Sequence, residues 1–167
     1  MSLIEGLDAR GEVDPIDLVE RIATYHDWEF DRIADDQIAM AVEGQWRTYS
    51  ITLAWSHSDE VLRLVSTFEL EPPEDRLPAL HALMNLINDG LWAGGFTWWE
   101  GQDLLVWRYG LSLAGGLSAT AEQVDRMIRD AVAHSERFYP AFQLTVWGGQ
   151  EPREAMQVAI AEAYGRA

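Results

Sequence analysis

Apolar residues recur at helical spacing first in Leu18, Val19, Ile22 and Tyr25, which share one face of a helix and lay it against a core. Asp14 stands where an N-cap belongs, Pro15 at the first helical position, and Asp17 where an acid favours the helix dipole. This helix should end near Trp28. A period of two follows. Ile38, Met40 and Val42 alternate with small or polar residues, then Tyr49, Ile51, Leu53 and Trp55, then Leu62, Leu64, Ser66, Phe68 and Leu70. Glu43-Gly44-Gln45 and the run from Ser56 to Glu60 separate the three segments, which read as an antiparallel meander with one buried face. Glu60, Glu69 and Glu71 fit the other face or the strand ends.

Pro72-Pro73-Glu74-Asp75 stops the sheet and opens a second helix, with Pro78 tolerated in its first turn. Leu80, Leu83, Met84, Ile87 and Leu91 form its stripe, and Gly94-Gly95 supplies the stop. Phe96 to Glu100 and Leu104 to Leu113 read as a hairpin around Gly101-Gln102-Asp103. Beyond Gly115-Gly116, Thr120 and Gln123 form a capping box for a third helix. Val124, Met127, Ile128, Ala131, Ser135, Phe138 and Phe142 line its inner face, and Pro140 should kink it or end it just before. Gly148-Gly149 breaks the chain and Pro152 starts an alanine-rich last helix. The order is α-β-β-β-α-β-β-α-α, an α+β fold in which an antiparallel sheet of about five strands carries helices packed against it. Residues 1–13, short, acidic and glycine-bearing, form a flexible N-terminal arm, and residues 14–167 a single domain.

At 167 residues, a single domain buries roughly 70% of the surface its unfolded chain exposes. With 48% apolar residues, 11% aromatics and eight tryptophans, the core is assured. Charge narrows the partners more sharply. Twelve arginines and no lysine face 28 acids, for a net charge of -16. Such a surface repels phosphate backbones and anionic lipid, which argues against nucleic acid and membrane as partners. The first 75 residues hold 18 acids and 5 arginines, the remainder 10 and 7, so the acidic half is the better candidate for a basic partner and solubility the simpler explanation. The absence of cysteine excludes disulfides, thiol nucleophiles and cysteine-based zinc sites. Met1-Ser2-Leu3-Ile4-Glu5 lacks the flank and apolar run of a signal peptide, and no apolar stretch approaches membrane-spanning length, so a cytoplasmic location is expected.

Candidate chemistry is thin. His26, His57, His81 and His134 stand far apart, in no metal-ligand spacing, and no metal is assigned. Ser56-His57-Ser58-Asp59 holds the residue types of a hydrolase triad, but triad partners usually come from separate segments, and four adjacent polar residues between strands are more simply a turn. Asp35-Asp36 and Glu74-Asp75 sit at a strand entry and a helix start, where acids serve structure. Gly115-Gly116 could present amides to an anion, yet a P-loop needs a lysine that this chain lacks. No catalytic, cofactor-binding or metal residue is assigned, and no cofactor is expected.

Arg126, Arg129 and Arg137 share the face of the third helix opposite its apolar stripe. Glu122 and Asp125 precede the first two by four residues, the order that favours pairing along a helix. Trp55, Trp92, Trp107 and Trp147 lie in patterned segments and are expected in the core. Adjacent Trp98 and Trp99 face opposite sides of one strand, so one of them needs cover from another element or from a partner.

Three runs carry a family resemblance. They are Arg137-Phe138-Tyr139-Pro140-Ala141-Phe142-Gln143-Leu144-Thr145-Val146-Trp147-Gly148-Gly149 with the helix start Glu151-Pro152-Arg153-Glu154-Ala155, the run Leu86 to Phe96, and the run Leu105 to Leu113. Together they resemble the YbjN-like family, described as bacterial sensory-transduction regulators. The chain departs from its pattern at Gly110 and Gln150. The resemblance implies a domain similar to type III secretion chaperones, without enzyme activity. It points to a noncatalytic cytoplasmic regulatory or chaperone-like module that binds a protein partner, as a homodimer. Two rivals are a small-molecule sensor with a pocket lined by Trp and Arg, and an enzyme whose histidine and carboxylates are assembled across the fold.

Overall fold

The Asp14 carboxylate accepts the Ile16 N–H at 2.8 Å and opens helix α1, Pro15–Tyr25. The computed structural model describes residues 14–165, so the N-terminal arm lies outside the described residues. α1 stops short of the expected Trp28 because Asp27 adopts the left-handed conformation at φ 58°. The Trp28 and Asp27 amides then close back onto the carbonyls of Ala23 and Thr24 at 2.9 and 3.1 Å, a Schellman end that leaves Trp28 outside the helix.

Six strands follow: β1 Glu29–Ala34, β2 Gln37–Glu43, β3 Thr48–Ser56, β4 Val61–Glu69, β5 Gly95–Trp99 and β6 Leu104–Ser112. They lie in the order β1-β2-β3-β4-β6-β5. The pattern predicts all but β1, whose residues are nearly all exposed. The β1–β2 register also shifts between Arg32 and Ala34, which places Ile33 in a bulge and breaks the period of two. A 3-10 turn at Glu74–Arg76 leads into α2, Leu77–Asp89, which takes Pro78 in its first turn as expected. α3 spans Ala121–Val146 and α4 spans Pro152–Gly165. The capping box is made: the Thr120 amide donates to Gln123 Oε1 at 2.9 Å, and the Gln123 amide to Thr120 Oγ1 at 3.1 Å. Pro140 neither ends nor divides α3, which runs on for six further residues to Val146.

The described chain divides into two units, one from residues 14–66 and 108–132, the other from 67–107 and 133–165. In the first, α1 packs on β2 and β3. Ile16, Val19 and Ile22 are buried there, as are Ile38, Ile51 and Leu53 on the inner sheet face. Arg32 opposes Ile38 in the ladder, which puts it on that same face at the sheet edge, where Nη1 reaches Asp17 at 2.6 Å. This hydrogen bond, with the negative charges around it, raises the Arg32 pKa above its usual value. Tyr25, expected on the buried face of α1, is 45% exposed.

In the second unit, α2 packs on β5 and α4. The buried Trp107 ring lies directly under Gly94, whose φ of 76° and missing side chain are both required for that approach. Phe138 and Phe142 meet Phe96 edge to face at 6.2 and 5.1 Å, and Tyr139 meets Phe68 at 6.0 Å. α2 ends at Asp89, before the expected Gly94-Gly95, and Leu91 is half-exposed. No helix among the described residues is long and apolar enough to cross a membrane.

Candidate functional site

The end of α3 leaves carbonyls that the helix cannot satisfy itself, and the chain supplies donors to those of Gln143, Leu144 and Thr145. The Gln143 carbonyl takes the amides of Trp147 and Gly148 at 2.9 and 3.1 Å, and the Leu144 carbonyl takes that of Gln150 at 2.9 Å. The Thr145 carbonyl takes Nε and Nη2 of Arg76 at 2.9 and 2.7 Å, and Nη2 also reaches the Gln150 carbonyl at 2.9 Å. Arg76 is thereby held on main chain and, among the described residues, forms no ion pair with its acidic neighbours Glu74 and Asp75. With the closing turn held this way, Trp147 is 53% exposed and its indole N–H points to the Glu71 carbonyl at 3.4 Å.

Glu71 lines a cleft of about 610 Å³ together with Pro72, Pro73, Glu69, Glu74, Asp103 and Gln102. Gln102 also lines a shallow depression of about 530 Å³, with Trp98, Trp99 and Glu100. The two share Gln102 in the β5–β6 turn, where Asp103 takes a φ of 53°. Glu69, Glu71, Glu74, Glu100 and Asp103 are all exposed, and none is ion-paired among the described residues. Asp17, Asp59, Asp125 and Asp130 each have an arginine. The result is an aromatic and proline surface bordered by carboxylates that have no ion pair among the described residues.

The other candidate residues do not come together. Ser56 Oγ bonds Asp59 at 3.1 Å, whereas the His57 ring accepts the Trp55 indole N–H at 3.1 Å, so serine and histidine are engaged apart and the segment is the expected turn. His81 is exposed, and His134 packs 5.6 Å from the Trp107 ring. Gly115 and Gly116 adopt φ of 85° and 74° in open space, as a turn requires. No group of three or more His, Asp or Glu among the described residues is placed to hold a metal ion.

His26 and Asp125 are a pair that sequence reasoning missed. The His26 Nε2 lies 2.7 Å from Asp125 Oδ1, and Arg129 Nε 2.6 Å from Asp125 Oδ2. The His26 ring stacks on Trp28 at 4.4 Å. Asp125 is 6% exposed. The Asp125–Arg129 pairing was expected. Arg126 instead reaches forward to Asp130 at 3.6 Å, and Arg137 lies 5.1 Å from the Phe138 ring.

Of the four tryptophans expected in the core, Trp107 is fully buried, Trp55 half-exposed, Trp147 exposed and Trp92 101% exposed. Trp92 lies in the loop between α2 and β5, outside any patterned face. Trp98 and Trp99 are both half-buried, and the depression they line contains no arginine.

No curated protein matches this chain. Its fold is similar to the crystal structure of YbjN from E. coli, described as a putative transcription regulator, at a TM-score of 0.55 and 16% identity over 74% of this chain and 88% of that one. It also matches a chain of the HopA1-SchA chaperone-effector complex at a TM-score of 0.48 and 15% identity, covering 75% of this chain and 96% of that one. The model of the YbjN family, "Putative bacterial sensory transduction regulator", matches residues 15–144, from the first turn of α1 almost to the end of α3, and the chain belongs to that family.

Proposed function

We propose that the protein is a noncatalytic, cytoplasmic regulatory or chaperone-like module that acts by binding a protein partner and is itself a homodimer. Membership of a family described as sensory-transduction regulators supports the regulatory part. The observation that carries the binding part is the aromatic surface around Pro72, Pro73, Trp98 and Trp99 with its unpaired carboxylates. Partly exposed aromatic and proline surface bordered by charge of one sign suits recognition of a complementary protein surface. A sensor pocket shared by Trp and Arg receives no such support, because arginine and tryptophan do not meet in these clefts.

Gel filtration with light scattering of protein drawn from its native cytoplasm, and mass spectrometry of what coelutes, tests the proposal. The expected result is a dimer with a reproducible protein partner. A bare monomer carrying a small molecule overturns it in favour of a sensor.

A further inference from the structure

We infer that the Pro72-Pro73 cleft and the Trp98–Trp99 depression form one docking surface for a basic, extended segment of a partner protein. This rests on the partner-binding reading above and specifies the chemistry of the partner. The cleft and the depression adjoin at Gln102, so a chain in extended conformation can cross both. Pro72, Pro73 and the two indoles offer apolar and π surface on which the methylene stems and guanidinium or ammonium heads of Arg or Lys rest. Glu69, Glu71, Glu74, Glu100 and Asp103 surround that surface with carboxylates that have no ion pair among the described residues.

Arg76, close in sequence, forms no ion pair with them among the described residues. It follows directly on Glu74 and Asp75, but its N–H groups point to the Thr145 and Gln150 carbonyls. Trp147, 53% exposed and bonded to the Glu71 carbonyl, extends the aromatic surface at the cleft. A second copy of the chain is the wrong occupant, since it has no lysine and a net charge of -16. An acidic peptide or a nucleic acid is repelled by the same carboxylates.

The test titrates the full chain by calorimetry with a capped peptide of four Arg-Gly-Ser repeats, and in parallel with its Glu-Gly-Ser counterpart. Saturable one-to-one binding of the arginine peptide alone, weakening as salt rises, is expected. Glu71→Gln with Glu74→Gln should weaken it by about tenfold. Asp31→Asn with Glu43→Gln removes the same charge from β1 and β2 and should leave affinity within about twofold. All four side chains are exposed, so the folded state tolerates both pairs of changes. Binding that survives neutralisation of the cleft, or that falls equally in the control pair, overturns the inference. Neither of those results touches the coelution test, so failure of this surface and failure of the partner-binding reading are separable.

Discussion

The side chain of Asn88, at the end of α2, acts as a substitute strand for Phe96 in β5: the Phe96 amide donates to Asn88 Oδ1 at 2.9 Å and Asn88 Nδ2 donates to the Phe96 carbonyl at 2.9 Å. β5 is the last strand of the sheet, and these two main-chain groups face away from β6. Asn88→Ala leaves both bare in a part-buried site and should cost about 2 to 4 kcal/mol in urea unfolding. Asn88→Asp should be at least as damaging, because its carboxylate faces a carbonyl where a donor is required. A loss below 1 kcal/mol for Asn88→Ala, or unchanged hydrogen exchange at the Phe96 amide, would contradict this role.

Arg76 tests whether guanidinium geometry or mere charge holds the end of α3. Arg76→Lys keeps the charge but loses the planar fork that serves two carbonyls, and should cost about 1 to 2 kcal/mol. Hydrogen exchange at the Trp147 to Gln150 amides should quicken with it. Equal stability of the lysine variant would show that position and charge suffice.

Gly94→Ala drives a methyl group into the Trp107 ring and forces a side chain into a left-handed conformation. The expected destabilisation is about 3 kcal/mol, as overpacking and backbone strain add. Gly101→Ala, where nothing lies within 4 Å, provides the control and should stay within about 0.5 kcal/mol of the parent.

The clearest features of the sequence were those set by neighbours in the chain. Asp14 as a cap, Thr120 with Gln123, the β5–β6 turn and the inner face of α3 follow from spacing and propensity, and each is found in place. Features set by distant partners were not legible. Trp92 and Trp107 look equally core-like in sequence, yet Trp107 is fully buried whereas Trp92 is fully exposed, because only Trp107 sits on a strand with helix cover. β1 escaped detection because a bulge at the edge erased its alternation. The Pro72-Pro73 cleft was read as a stop and a helix start. Its acids become a surface only once the β5–β6 turn brings Gln102 and Asp103 beside them.

His26 and Asp125, 99 residues apart, should be energetically coupled. A double-mutant cycle with His26→Ala and Asp125→Ala is expected to return about 1 kcal/mol of interaction, with Asp125→Ala the more costly single change because it also frees Arg129. Additivity within about 0.3 kcal/mol would mean that the contact is incidental.

Ser66 and Ser135 are 0% and 1% exposed, and their hydroxyl oxygens have no hydrogen-bond partner among the described residues. Replacing either by alanine removes an unsatisfied polar atom at little cost in volume, so thermal unfolding should move by no more than about 2 °C downward, or rise. A loss above about 2 kcal/mol would reveal a hydrogen bond formed in solution.

The sheet is terminated at both ends by different means. At β5 the Asn88 carboxamide occupies the main-chain groups of Phe96, and at β1 the Ile33 bulge lies among Glu29, Asp31 and Arg32. Bulges and charges on an edge, like a covered edge, prevent strands of separate molecules from pairing. In this chain both edges of the sheet are thus interrupted, so the ladder offers no long unbroken run of free main-chain groups at which a second molecule could add a strand.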